Sequence, residues 1–160
     1  MYWRLKYDFV FDSGSVDAAK DYIFVELNGK YGLVDETGKE IVECKYDSIS
    51  RRFSEGLADV CLNGKWGFID KTGKEIIECK YDKTTRFNEG LALVELNGKC
   101  GLINKNGKEV VECKYDNLWH SKSFYAVKLN DKWGFLDKTG KQWWNLNMTM
   151  LKSVAKALLQ

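Results

Sequence analysis

Proline is missing from this chain of 160 residues, where average usage of about 5% would place roughly eight. Proline-rich linkers and proline turns are thereby excluded, so glycine and asparagine must punctuate the fold. Long apolar runs are missing too. None approaches the ~18 residues that a membrane-crossing helix needs, so no membrane partner is expected. The opening Met1-Tyr2-Trp3-Arg4-Leu5-Lys6-Tyr7-Asp8 has neither the basic region nor the apolar stretch of an export signal. Charge of one sign is absent: 25 bases against 23 acids leave +2, and only four bases are arginine, at Arg4, Arg51, Arg52 and Arg86. Nucleic-acid binding needs a one-signed patch, and base-edge readout favours arginine, so the balance argues against that partner. The five cysteines (Cys44, Cys61, Cys79, Cys100, Cys113) are odd in number and contain no C-x-x-C pair. Reduced thiols in a cytoplasmic protein are the expectation. Histidine occurs once, at His120, which leaves no closely paired Cys or His for zinc. Neither a metal nor another cofactor is expected.

What is present is a repeat. Residues Leu27, Leu62, Leu96 and Leu129 open four copies spaced 35, 34 and 33 residues apart. The first two continue through Asn-Gly-Lys-aromatic-Gly, as at Asn63-Gly64-Lys65-Trp66-Gly67. The third has Cys100 at the aromatic position, and the fourth reads Asn130-Asp131-Lys132-Trp133-Gly134. The first three end in Lys-Tyr-Asp at Asp47, Asp82 and Asp116. The fourth decays at Lys141-Gln142-Trp143-Trp144. Lys6-Tyr7-Asp8 matches the same ending, so residues 1–8 read as the last strand of an incomplete repeat. Each copy reads as a three-stranded meander. A first strand such as Leu91–Leu96 puts Ala92, Val94 and Leu96 on one face, and an Asn-Gly hairpin turn follows. The second strand, as at Lys65–Asp70, ends in a loop whose Gly73 suits the left-handed position. Alternation along Glu75–Tyr81 predicts Ile77, Cys79 and Tyr81 together on one face.

A meander cannot bury its apolar face alone, so neighbouring repeats must complete the core. The expected fold is an all-β repeat protein, its tandem antiparallel meanders stacked in an open array or a partly closed ring. The repeat domain covers residues 1–146, with copies at about 22–47, 57–82, 91–116 and 124–144. Beyond it, Met148, Leu151, Val154 and Leu158 fall at helical spacing behind Asn147 as N-cap, which predicts an amphipathic helix over 147–160.

These residues resemble the WG-repeat (KWG-repeat) proteins, found mostly in bacteria. The likeness covers about residues 22–144, with Tyr31 and Cys100 standing where Trp66 and Trp133 carry the tryptophan. The resemblance implies β-rich repeats with a binding or scaffolding role, and it brings no catalytic residues.

Each chemical candidate stands beside a packing alternative. Tyr31, Trp66 and Trp133 suit either an exposed row for sugars or peptides, or rings packed between meanders. Cys44, Cys79 and Cys113 suit a row of thiols or, as the reading adopted, small core residues beside Val42 and Tyr46. The Tyr-Asp pairs suit acid–base chemistry or, as adopted, a strand-ending aspartate bonded to a turn. His120, nine residues before Leu129, takes the place of Phe53 and Phe87 and is expected to pack. No nucleophile motif accompanies it, so no enzyme activity is expected. Cys100→Trp is expected to be tolerated or stabilising. The expected function is protein interaction or scaffolding, as an accessory subunit of a larger bacterial complex. The candidate contacts are Arg51, Arg52, Arg86 and Trp119 on the inter-repeat loops, and Trp143, Trp144, Met148, Leu151, Val154 and Leu158 at the C-terminal end. Carbohydrate or cell-wall binding through exposed aromatics is the alternative.

Overall fold

The structure is a computed structural model that describes residues 2–11, 22–121 and 124–145. The helix expected over 147–160, with Met148, Leu151, Val154 and Leu158, lies outside the described residues, as do the side chains of Trp143 and Trp144.

The described chain forms four antiparallel sheets, each of four strands joined in sequence order. The first holds β1 (Phe9–Phe11), β2 (Ile23–Leu27), β3 (Lys30–Val34) and β4 (Glu40–Tyr46). The second holds β5 (Ser48–Ile49), β6 (Leu57–Leu62), β7 (Lys65–Asp70) and β8 (Glu75–Tyr81). The third holds β9 (Lys83–Thr84), β10 (Leu91–Leu96), β11 (Lys99–Asn104) and β12 (Glu109–Tyr115), and the fourth β13 (Asn117–His120), β14 (Tyr125–Leu129), β15 (Lys132–Leu136) and β16 (Gln142–Asn145). The expected meander is therefore one strand short. The added edge strands escaped the alternation test because β5 and β9 are two residues long. Asn63 (φ 53°) and Gly64 (φ 74°) form the expected hairpin turn between β6 and β7.

Consecutive sheets stack face to face. Call the face bearing Leu33, Phe68 and Leu102 the front. The front of the first sheet (Phe24, Leu33, Val42, Tyr46) packs on the back of the second (Ala58, Val60, Ile69). Phe68, Ile77 and Tyr81 meet Ala92, Val94 and Ile103 of the third sheet in the same way. Leu102, Val111 and Tyr115 meet Tyr125, Val127 and Leu136 of the fourth. Each interface is apolar because alternate residues of both partners point into it, which removes large areas from water.

The glycine of each aromatic-Gly pair follows from strand register. Trp66 pairs with Tyr81 and Phe68 with Ile77, so two residues of β7 span four of β8. The two extra residues bulge over Gly67, where an added Cβ would lie 2.7 Å from the Cys79 backbone nitrogen. This bulge overturns the expected phase of the cysteines. Ile77 and Tyr81 face forward into the second interface, while Cys79 turns back and packs on the first. Cys44 and Cys113 reverse likewise, each with Sγ within 2.9 Å of where a side chain on Gly32 or Gly101 would begin.

The N-terminal segment also differs from expectation. Tyr2–Lys6 is a 3₁₀ helix rather than a strand. Trp3 and Tyr7 nevertheless keep the packing that their register implies. They cover the back of the first sheet, against Ile23, Val25 and Val34. Trp3 stands where Val42, Ile77 and Val111 stand in the later copies, and its ring closes over Gly38 as Val42 closes over Gly73. Tyr7 donates to Glu40 at 3.3 Å.

The aspartates that end Lys-Tyr-Asp fasten one repeat to the next. Asp82 pairs with Lys65 of the preceding hairpin and accepts from the Asn97 N–H of the following one at 2.7 Å. Asp116 repeats this with Lys99 (2.5 Å) and Asn130 N–H (2.8 Å), Asp47 pairs with Lys30, and Asp8 accepts from Asn28 N–H at 2.6 Å. The expected turn bond is real, but the turn belongs to the next repeat.

Candidate interaction edge

The recurrent residues are consumed by this architecture. Tyr31, Trp66 and Trp133 are half-buried and Cys100 is buried, so the rings do not form an exposed row. Burial pushes the Cys79 and Cys113 thiols up to about 11, which keeps them protonated at neutral pH. Among the described residues no three of His, Cys, Asp and Glu stand grouped as metal ligands. What varies between repeats is the edge formed by β1, β5, β9 and β13 and the turns after them.

Along that edge the connection shortens stepwise. Ile49, Thr84 and Leu118 pair with Val60, Val94 and Val127, and from them to the turn residues Ser54, Asn88 and Ser121 the chain takes five, four and three steps. The turns are tied across repeats. The Glu55 carboxylate accepts from Gly90 N–H at 3.0 Å and meets Lys105 at 3.5 Å, while Glu89 pairs with Lys138. The Lys138 ammonium holds the Glu89 carboxyl below its ordinary range.

Two clefts open between sheets on this edge. The first, about 190 Å³, is lined by Phe11, Phe24 and Tyr31 of one sheet and by Asp47, Ser48, Ile49 and Arg51 of the next. The Arg51 guanidinium lies 4.0 Å from the Phe11 ring centroid, a cation–π contact that leaves its outer face exposed. Arg52 beside it is exposed. The second cleft, about 270 Å³, is lined by Thr85, Arg86, Asn88, Leu91, Leu93, Leu102, His120 and Tyr125. A planar guanidinium at the mouth of an apolar cleft suits a carboxylate-bearing or aromatic peptide side chain.

His120 departs from expectation. Its register is as counted, directly before the turn in which Ser121 N–H donates to Phe124, but it is exposed rather than packed. The cause lies across the strand pair. Tyr125 stands where the earlier copies have Ala58 and Ala92, and its ring takes the core volume that Phe87 fills beside Ala92. His120 is turned outward, its ring 5.3 Å from Tyr125. Trp119 is 46% exposed and stacks on Trp133 with centroids 4.6 Å apart. It belongs to the outer face of the fourth sheet and not to either cleft. Arg51 and Arg86 are thus brought to cleft mouths, and Trp119 is placed apart from them. Sequence reasoning missed Phe11, Phe24 and Leu93 as cleft walls. The visible signal was the aspartate of Lys-Tyr-Asp, which ends one sheet and begins the next.

A family model described as WG containing repeat matches residues 31–66, 66–100 and 101–133. No curated protein matches. Solved structures with a similar course include KlHsv2 with loop 6CD replaced by a Gly-Ser linker (TM-score 0.47, 6% identity, covering 76% of this chain and 46% of that one). The extracellular domain of a putative one component system from B. thetaiotaomicron gives TM-score 0.43 and 17% identity over 87% of this chain and 23% of that one. The WD40 β-propeller domain of Doa1 gives TM-score 0.38 and 13% identity over 80% and 51%. This chain spans about half or less of each of these.

Proposed function

The chain belongs to the WG containing repeat family, and on that premise we propose that it is a non-catalytic protein-interaction module, the scaffold or accessory subunit of a larger complex. One observation carries the reading. Residues that recur between repeats are spent on packing and on fastening sheets together, whereas the edge carrying Arg51, Arg52 and Arg86 varies in length and content and is exposed. Variable edges on a rigid repeat scaffold are where recognition is built. The partner presents a peptide whose carboxylates or rings engage the arginines at the two cleft mouths. Glycan binding through a row of exposed rings draws no support from the half-buried Tyr31, Trp66 and Trp133.

The test is an affinity pull-down from the native host with the wild-type chain and an Arg51→Glu, Arg52→Glu, Arg86→Glu variant, both first shown folded by circular dichroism. A specific protein retained by the wild type and lost by the variant supports the edge as the interface. Equal retention by both moves recognition elsewhere.

A further inference from the structure

Rings meet in pairs across the first two interfaces between sheets. Tyr22 and Phe53 lie 4.8 Å apart in the first, and Phe68 and Phe87 lie 4.8 Å apart in the second. In the third, Leu91 and Leu102 stand at the registers of Tyr22 and Phe68. Tyr125 fills the place of Phe87, and the ring beside it is the exposed His120. The cleft of about 270 Å³ between the third and fourth sheets opens at this missing ring, floored by Leu91, Leu93, Leu102 and Tyr125. Pockets for drug-sized ligands start at about 300 Å³, so this one holds a single side chain. Its rim is charged. Arg86 is exposed at the mouth, and among the described residues its guanidinium makes no hydrogen bond or ion pair. The neighbouring carboxylate of Glu89 is already taken by Lys138. Arg51 at the first cleft is instead engaged by the Phe11 ring.

We propose that this cleft captures the last residue of a partner chain ending in phenylalanine, with the ring seated against Leu91, Leu102 and Tyr125 and the α-carboxylate held by Arg86. This occupant rests on the reading of the arginine-bearing edge as a protein interface. The ring restores the pair that the other two interfaces build from their own residues, and its burial removes apolar surface from water on both partners. The carboxylate meets a planar guanidinium whose fork matches both of its oxygens. Ring and charge belong to one residue, which suits a cleft of single-side-chain size. An internal phenylalanine would bring an uncharged peptide group to Arg86. Free phenylalanine would bring an ammonium beside the Arg86 cation, so a chain end fits better than the amino acid.

The experiment titrates the full chain, labelled for amide NMR, with the acetylated tetrapeptide Gly-Ser-Gly-Phe carrying a free C-terminus. The amide signals of Leu91, Leu93, Leu102 and Tyr125 are expected to shift and saturate, while those of β2 and β3 stay in place. Amidating the C-terminus of the peptide, or Arg86→Ala in the protein, should each weaken binding about tenfold. Free phenylalanine should also bind about tenfold more weakly than the peptide. Leu102→Phe supplies the ring of Phe68 from within the chain and should abolish binding. Equal affinity for the acid and amide peptides overturns the proposal even if Leu102→Phe fails to fold, and so does unchanged binding by Arg86→Ala. Free phenylalanine that binds as tightly as the peptide overturns a chain end as the occupant. Shifts absent from the cleft residues overturn the site itself. The pull-down separates this proposal from the wider reading. A native partner lost by the triple arginine variant but kept by Leu102→Phe leaves the edge as the interface and removes this occupant. Peptide binding as expected, with the native partner kept by the triple variant, does the reverse.

Discussion

Two glycines with similar sequence surroundings have different physical reasons to be glycine. Gly64 has φ 74° with open space around its Cα, so Gly64→Ala meets only backbone strain, about 1 kcal/mol. Gly67 lies under the bulge of β8, where a methyl group would meet the backbone at Ile77, Glu78 and Cys79. Gly67→Ala is therefore expected to cost roughly 1–3 kcal/mol and to exceed Gly64→Ala, because overpacking against backbone cannot be relieved by a rotamer change. Urea denaturation of both variants checks the order. At Cys100 the structure reverses the sign expected from the repeat alone. Trp66 pairs across the sheet with the small Cys61, whereas Cys100 pairs with Glu95, which is held by Lys83 at 2.9 Å. Cys100 is also enclosed by the third interface. Cys100→Trp must push into that closed volume and is expected to lower the melting temperature.

At the scale of the element, the aspartate fasteners make the stack sensitive to acid. A hydrogen bond from Lys65 holds the Asp82 carboxyl below its ordinary range, and Lys30 and Lys99 do the same for Asp47 and Asp116. Their folded pKa values are lowered, so their contribution is present above the unfolded carboxylate range and is lost as pH falls through the folded values. The melting temperature is expected to fall on acidification below about pH 4, and to fall less steeply in Asp82→Asn. An equal slope in both proteins would remove Asp82 from the account. Strand existence, the Asn-Gly turns and the stacking of repeats were legible because alternation and turn chemistry are local. The bulge was not, since nothing in Glu-Ile-Ile-Glu-Cys-Lys-Tyr signals the two extra residues opposite Gly67. The edge strands were too short to alternate, and the clefts were illegible because their walls come from different sheets. Arg51 and Arg86 were legible from their type and their place on the inter-repeat loops, and their placement beside Phe11 and Leu93 required the stacking geometry.

Across the whole molecule, stability is distributed by the number of faces each sheet has covered. Tyr46 and Tyr81 report on this because each is buried between sheets, and burial pushes their hydroxyls up to about 12. A raised folded pKa keeps the neutral form in the native state while the unfolded chain ionises from about pH 10. Stability is then full below that pH and declines between it and about 12. Thermal melts on the alkaline side should show that decline, reduced in Tyr46→Phe. Among the described residues, the second and third sheets have another sheet on both faces, the first has a sheet on one face and the Trp3–Tyr7 segment on the other, and the fourth meets another sheet on its back. In a stacked repeat each unit is stabilised by its neighbours, so the inner units open least. Amide exchange is expected to be slower in β6, β7, β10 and β11 than in β2 and β3. Trp3→Ala should then hasten exchange in β2 and β3 while leaving β10 and β11 nearly unchanged. Uniform acceleration in every strand would mean that the sheets unfold as one cooperative body, and the additive account of the stack would fail.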